Sequence, residues 1–147
     1  ELKLSEQLAA GKSDAGIFEG LPAFMSLLNN LLDYRESILA YGIPSIVPEI
    51  VKTTIPHFHN KRIPLKIVMK HIYNYDAQER IKYLNSLSYT EARSLPERFN
   101  SQVTTIVCGD DVLLVIWHSP IKTIRIKDRL LADTYKKYFE LLWKAAT

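Results

Sequence analysis

The last third of the chain decides its fold. It reads LPERFN (95–100), then VTTIVCGDDVLLVIW (103–117), then KTIRI (122–126), and closes on an aromatic-rich stretch from Asp128 to Ala146. This order of patterns predicts a strand, a tight turn, a buried strand, a further short strand and an amphipathic helix. The domain should therefore end in an antiparallel part of a sheet followed by one helix.

The turn and the strand after it are the clearest signals in this block. A Gly-Asp-Asp turn at 109–111 separates the apolar runs 103–107 and 112–117, which predicts a β-hairpin. The second run is apolar without alternation, so this strand should be covered on both faces. Residues 121–126 alternate apolar and polar side chains and predict a more exposed strand. The acids of the turn are expected to shape its backbone rather than to act as a carboxylate pair.

Upstream of this block, helical and strand patterns alternate. Pro56 lies inside one helical pattern and should kink that helix or end it early. Helices that connect strands make those strands parallel, so we predict an α/β fold with a mixed sheet flanked by helices. The predicted upstream elements are a helix from Pro22, a strand at 37–41, a helix from Pro48, a strand at 65–73 and a helix opened by a capping box of Asp76 and Glu79.

Composition is that of an ordinary globular domain. The chain has 147 residues, of which 47% are apolar and 24% charged, enough to bury one core. Cys108 is the one cysteine, which excludes a disulfide framework, and its apolar surroundings predict a small buried residue. No apolar run approaches the length of a membrane span and no signal peptide is recognisable, so we expect a cytoplasmic protein without a membrane partner.

The chain should contain one domain. Residues 1–16 have weak periodicity and are predicted to be a linker or an N-terminal strand, and residues 17–147 to be a single domain. The chain begins with Glu1 rather than Met, which suggests that a segment is missing upstream. The 19 Lys and Arg residues are interleaved with 16 acids, without the concentrated positive charge of a DNA-binding element.

Three segments carry a family resemblance. They are Ile17-Phe18-Glu19-Gly20 before the first helix, the stretch from Leu95 to Asn100 with the turn at 109–111 and the strand ending in Trp117, and the stretch from Ile124 to Lys127 with the last helix. Together they resemble the C-terminal effector domain of the archaeal TrmB-like transcriptional regulators. Such domains have a phospholipase D-like α/β fold, so the resemblance implies a sandwich of that kind over residues 17–147, acting as a regulatory and effector-binding domain.

The resemblance also implies how the protein would work. The family's regulators bind DNA through a winged helix-turn-helix domain at the N-terminus, which this chain lacks, so DNA contact is expected only through a missing N-terminal domain. A homodimer is expected, in which effector binding favours one arrangement of the subunits. The longer sugar-binding members carry a further C-terminal subdomain for which this chain has no room, so the expected effector is simply a small polar or anionic molecule.

A phospholipase D-like fold raises the question of catalysis by a His-x-Lys-x4-Asp motif, in which the His is the nucleophile and the Lys binds phosphate. The chain has one His-x-Lys, at His59 and Lys61, but the acid position holds Lys66. Cations at a helix C-terminus explain these basic residues, so we expect no enzyme activity. His57 and His59 point to different helix faces and have no carboxylate or Cys near them in sequence, so neither a metal nor a cofactor is expected.

Topology suggests a candidate effector site. In open α/β sheets, ligands collect beyond the carboxyl ends of the parallel strands, where loops and helix N-termini meet. Five residues are expected near such ends and would offer an aromatic wall, a titratable ring and cations to a small polar or anionic effector. The alternative is an ordinary polar rim of the sheet. The candidate residues are Tyr41, Ser45, Lys70, His71 and Arg93.

The last helix offers a candidate dimer interface. Its large aromatic residues exceed what a small domain easily buries, and Tyr138 and Trp143 are the candidates for contact with a second subunit. Core packing is the alternative for each. Two other functions stay open: a degenerate phospholipase D-like phosphodiesterase, and a protein-interaction domain that binds no ligand.

Overall fold

The computed structural model describes residues 14–147, which build one seven-stranded mixed sheet in the order β1-β7-β6-β5-β2-β3-β4. Strands β2, β3 and β4 run parallel to one another, and the other neighbouring pairs are antiparallel. The predicted α/β fold with a mixed sheet is confirmed. The strands are β1 (Ala15–Glu19), β2 (Ile38–Ile43), β3 (Met69–Tyr73), β4 (Thr90–Ser94), β5 (Val103–Cys108), β6 (Asp111–Ile116) and β7 (Lys122–Lys127).

Helices cover both faces of the sheet, and each face has its own apolar cluster. One cluster joins the first four helices to the sheet, and the other joins the last helix to the opposite face. The last helix is held at its start by Asp128, whose carboxylate accepts the backbone N–H of Leu131 at 2.9 Å. The helices are α1 (Leu21–Asn30), α2 (Val47–Ile50), α3 (Ile55–Arg62), α4 (Gln78–Asn85) and α5 (Arg129–Ala145).

The C-terminal block folds as its sequence predicts. Strands β5 and β6 form the hairpin, with Cys108 opposite Asp111 next to the turn. Strand β6 is largely buried and β7 is more exposed, as their patterns indicate. Cys108 is buried as predicted, and burial raises the pKa of its thiol to about 12.

Two local predictions need correction. The helix predicted from Pro48 is two helices, because the chain turns after α2 and Pro56 lies in the first turn of α3, where its missing N–H costs nothing. The predicted capping box does not form: Asp76 adopts a positive φ of 66°, and no side chain of residues 14–147 caps α4.

The first strand of the sheet begins inside the N-terminal segment. Strand β1 begins at Ala15 and pairs with β7, so its first two residues belong to residues 1–16, for which a linker or an N-terminal strand is predicted. The remainder of the predicted linker, residues 1–13, lies outside the described residues. No helix in the described part of the chain has the length and apolar character that crossing a membrane requires.

The hairpin turn gives the first testable prediction. Gly109 has a φ of +58°, and a Cβ atom there would collide with the ring of Tyr34. Gly20 also has a positive φ, but its Cβ would only reach ordinary contact with Pro22 at 3.7 Å. Both Gly→Ala changes strain the backbone, and Gly109→Ala adds an overpacking cost of about 1–3 kcal/mol. Urea unfolding should show that Gly109→Ala lowers the free energy of unfolding more than Gly20→Ala does. Equal losses would mean that the Tyr34 ring moves aside freely.

Candidate functional site

A fully buried cation organises the region between α3 and the sheet. Arg62 is 0% exposed, and all five of its guanidinium N–H groups are used. Its Nε and Nη2 atoms donate to Nδ1 of His59 at 3.3 and 3.1 Å, and Nη2 also donates to the Thr90 hydroxyl at 2.6 Å. Its Nη1 atom donates to the carbonyls of Ile67 at 2.8 Å and Tyr89 at 2.7 Å. The guanidinium thereby ties α3 to the segments that enter β3 and β4.

This cation has no anionic partner within residues 14–147. Among the described residues, no carboxylate forms an ion pair with Arg62. Burial lowers its pKa to about 10, so the side chain still carries its charge at neutral pH. A buried positive charge that is hydrogen-bonded but not neutralised places a positive potential on the groups beside it.

Arg62 determines the protonation of His59. A guanidinium can only donate, so the Nδ1 atom of His59 must be the acceptor and the proton of the neutral ring lies on Nε2. Burial, with Arg62 and Arg80 as further causes, lowers the pKa of His59 to about 3. The Nε2 atom is buried and has no hydrogen-bond partner in the described structure. His59 therefore holds an unused N–H donor inside the protein.

His71 faces His59 from strand β3 with the opposite polarity. Its Nδ1 atom lies 3.3 Å from the Glu91 carbonyl, which can only accept, so the ring proton is on Nδ1 and the lone pair is on Nε2. The two imidazole centroids are 6.2 Å apart, and the ring of Tyr73 stacks on His71 at 6.2 Å. Burial, with His59 and Arg62 adding to it, lowers the pKa of His71 to about 3. The pair offers one donor and one acceptor.

Both rings line a small cavity of about 50 Å³ between α3 and the sheet. Its walls are mostly apolar, and the polar side chains among its lining residues include the two histidines, Tyr73, Arg80 and Thr104. Arg80 donates from Nε to the Tyr73 hydroxyl at 3.4 Å and also lines a surface cleft of about 390 Å³ with Ser45. Arg80 thus stands between the cavity and the outside, and a cavity of this size and polarity can hold water or a small polar group.

The five candidate residues do not form one site, because successive residues of a strand face opposite sides of the sheet. His71 lines the cavity on the α3 face, and Ser45 lies in the cleft outside it. Tyr41 is on the other face, with its ring 6.2 Å from that of Phe139.

Lys70 and Arg93 belong to the packing of the last helix. The Lys70 ammonium lies 5.2 Å and the Arg93 guanidinium 4.2 Å from the ring of Trp143. Arg93 also donates to the Trp143 carbonyl at 2.8 Å, near the end of α5. These contacts give both cations a structural role on the face opposite His71.

The interface candidates differ in exposure. Trp143 is 7% exposed and stacks on Phe139 at 5.6 Å, so the structure assigns its ring to the core rather than to a subunit contact. Tyr138 is 52% exposed on α5 and stays a prediction.

Sequence reasoning missed the residues around His71. It treated His59 as a charged group at a helix end, whereas the structure buries it as a neutral ring. The available signal was helical spacing: Val51, Ile55, Phe58, His59 and Arg62 recur at intervals of three and four, which places both polar residues on the apolar face.

The buried histidines predict an acid-sensitive fold. Both keep a lowered pKa in the folded state, so the unfolded chain binds more protons below its ordinary pKa of 6.5. Stability should fall as pH drops from 6.5 towards 3, by up to about 1.4 kcal/mol per pH unit for each ring. Urea unfolding between pH 7.5 and 5 should show a shallower pH dependence for His71→Gln. The exposed His57→Gln control should follow wild type; a wild-type slope in His71→Gln would contradict the assignment.

The role of Arg93 is testable on its own. Arg93→Met removes a charged hydrogen bond and a cation–π contact, so it should lower the free energy of unfolding by about 1–3 kcal/mol. Arg98 is the matched control: its guanidinium lies 4.8 Å from the Phe99 ring at an exposed position, and Arg98→Met should cost less than about 0.5 kcal/mol. If thermal unfolding shows that both variants lower the free energy of unfolding by similar amounts, the contacts of Arg93 with Trp143 contribute nothing to stability.

Known structures share this fold, although no protein-family model and no curated protein sequence matches the chain. NucT from Helicobacter pylori is similar at TM-score 0.66 and 17% identity, over 90% of this chain and 97% of that one. Nuc from Salmonella typhimurium, a phospholipase D family member, is similar at TM-score 0.60 and 13% identity, over the same shares of both chains. The prediction that the chain is not an enzyme is overturned by these two likenesses, because its fold is shared with a phospholipase D family member and so leaves enzyme activity open.

The third similar structure bears on the predicted resemblance. TrmBL2, an archaeal chromatin protein with a novel mode of DNA binding, is similar at TM-score 0.66 and 14% identity. The match covers 99% of this chain, and the chain spans 65% of the length of TrmBL2. These likenesses show a common fold, and the predicted resemblance is confirmed at that level: the described residues share the fold of TrmBL2 and of a phospholipase D family member.

Proposed function

We propose that this domain is the regulatory module of a TrmB-like protein and that it binds a small polar effector in the cavity between α3 and the sheet. The observation that carries the proposal is the pair of neutral histidines that line this cavity, of which His59 keeps a buried Nε2–H group without a hydrogen-bond partner among the described residues. A buried donor without a partner costs free energy, and a ligand that accepts its hydrogen bond recovers that cost.

The likeness to TrmBL2 supports a role linked to DNA. It extends over 99% of this chain, while the chain spans 65% of TrmBL2, so a regulator built in the same way has room for a further domain. In the proposed mechanism, the effector binds one arrangement of the protein better and shifts the population of DNA-binding states. A cytoplasmic location fits this role.

A homodimer is part of the proposal. The exposed side chains on α5 include Leu130, Tyr138 and Leu141, at 79%, 52% and 67% exposure. Leu130 and Leu141 are eleven residues apart and lie on one side of the helix. Apolar side chains exposed along one helix offer a surface for a second subunit.

A second candidate function is phosphodiester hydrolysis. The likeness to Nuc, over 97% of that chain, favours it. Two imidazoles that face each other could supply a nucleophile and a proton donor, as such chemistry requires. This activity would use His59 with His71 rather than with Lys61, which is exposed.

The effector proposal predicts a difference between two adjacent residues of β3. His71 faces the cavity and Lys70 faces Trp143, so His71→Ala should remove ligand-dependent thermal stabilisation and Lys70→Ala should keep it. A thermal-shift screen of small acids and polar metabolites on wild type supplies the ligands. A shift that survives in His71→Ala, or that Lys70→Ala removes, would place the effector elsewhere.

The two functions are separated by one assay. Turnover of bis(p-nitrophenyl) phosphate that is lost in His59→Gln and His71→Gln but kept in the exposed His57→Gln would establish the hydrolase. Effector binding without turnover in wild type would favour the regulatory role.

A further inference from the structure

The charges around the cavity favour an anionic ligand. Arg62 lies behind His59, and Arg80 lines the cavity directly, and neither forms an ion pair with a carboxylate of the described residues. Two positive charges without counter-charges beside a cavity of low polarity favour an anion there. The Nε2–H of His59 and the hydroxyl of Tyr73 are donors for such an anion.

His71 sets a second condition that a bound anion must meet. Its Nδ1–H is held by the Glu91 carbonyl, so the lone pair of this cavity-lining ring is on its Nε2 atom. A lone pair repels an anion unless a proton lies between the two. An anion can therefore occupy the cavity only together with a proton from solvent, shared with the Nε2 atom of His71.

The volume of the cavity limits which ligands it can bind. An apolar cavity of about 150 Å³ accommodates benzene, so about 50 Å³ admits a group of only a few heavy atoms. A carboxyl group meets this limit and has two oxygens, one to accept from His59 and one to share the proton with His71. The rest of a longer acid would extend past Arg80 into the cleft lined by Ser45.

We propose that the cavity binds the acid group of a small carboxylate ligand, held between Nε2–H of His59 and Nε2 of His71, with uptake of one proton. This inference rests on the proposed regulatory function and names the class of its effector. The proton balance is simple: free carboxylate, neutral His71 and one solvent proton give a bound pair with one shared proton.

The titratable and polar groups around the shared proton, among the residues that the structure describes, come from four elements. They are His59 and Arg62 of α3, His71 and Tyr73 of β3, Arg80 of α4 and the Glu91 carbonyl of β4. In the free protein, His71 is neutral above pH 5, because its pKa lies near 3. A free carboxylate is ionised over the same range. The proton is therefore taken up only in the complex, and affinity should fall about tenfold for each pH unit between 5.5 and 7.5.

The test uses formate as the probe and formamide as its neutral isostere, at constant ionic strength set by chloride. Titrations followed by amide NMR at pH 5.5, 6.5 and 7.5 should show formate binding that weakens about tenfold per unit. Calorimetry of the wild type in two buffers of different ionisation enthalpy should show uptake of about one proton. This measurement needs no variant, so it does not depend on how a substitution folds.

Three variants test the roles of the two histidines in binding formate. Gln at position 71 can donate an N–H without taking up a proton, so His71→Gln should bind formate with little pH dependence. His59→Leu removes the donor and should weaken binding at least tenfold, and the exposed His57→Gln should match wild type.

Each other outcome overturns the inference. Formate binding that is independent of pH, or without proton uptake, would show an anion site without the shared proton. Binding of formamide but not formate would refute the acid as ligand while leaving the effector cavity of the proposed function intact. Failure of both probes to bind would refute the inference and the cavity as the effector site.

Discussion

The buried guanidinium of Arg62 is the interaction on which the arrangement depends. It is fully enclosed, and its five N–H groups satisfy acceptors on α3 and on the segments leading into β3 and β4. Removing one partner from such a network leaves an unsatisfied buried group, which costs far more than an exposed ion pair contributes. Because no carboxylate in the described part of the chain forms an ion pair with it, this cation also sets the electrostatic potential around it.

The chemistry of the cavity follows from that cation. Arg62 forces His59 to accept at Nδ1, and the Glu91 carbonyl forces His71 to donate at Nδ1. Two identical side chains thus become a donor and an acceptor that face one small space. The same fold occurs in a DNA-binding chromatin protein and in a phospholipase D family member, so the fold alone does not choose between regulation and catalysis. The side chains of the cavity must do so.

The sequence was sufficient to predict the fold, but it was not sufficient to predict the candidate site. The hairpin at 109–111 and the final helix were predicted because their signals are local: a Gly-Asp-Asp turn, an apolar strand and helical periodicity. The site depends on non-local partners. His59 meets Arg62 on its own helix, but Thr90 and Glu91 lie about thirty residues further along the chain. Lys70 and Arg93 carry suitable charges, yet strand alternation turns them to the Trp143 face.

The central claim is that His59 and His71 are neutral and carry their protons on different ring nitrogens. Two-bond ¹H–¹⁵N NMR spectra of the imidazoles, recorded at pH 6, test this claim directly, since the ¹⁵N shifts distinguish each tautomer from the charged ring. The account predicts the Nε2–H tautomer for His59 and the Nδ1–H tautomer for His71. Two charged rings at that pH, or the same tautomer in both, would contradict it.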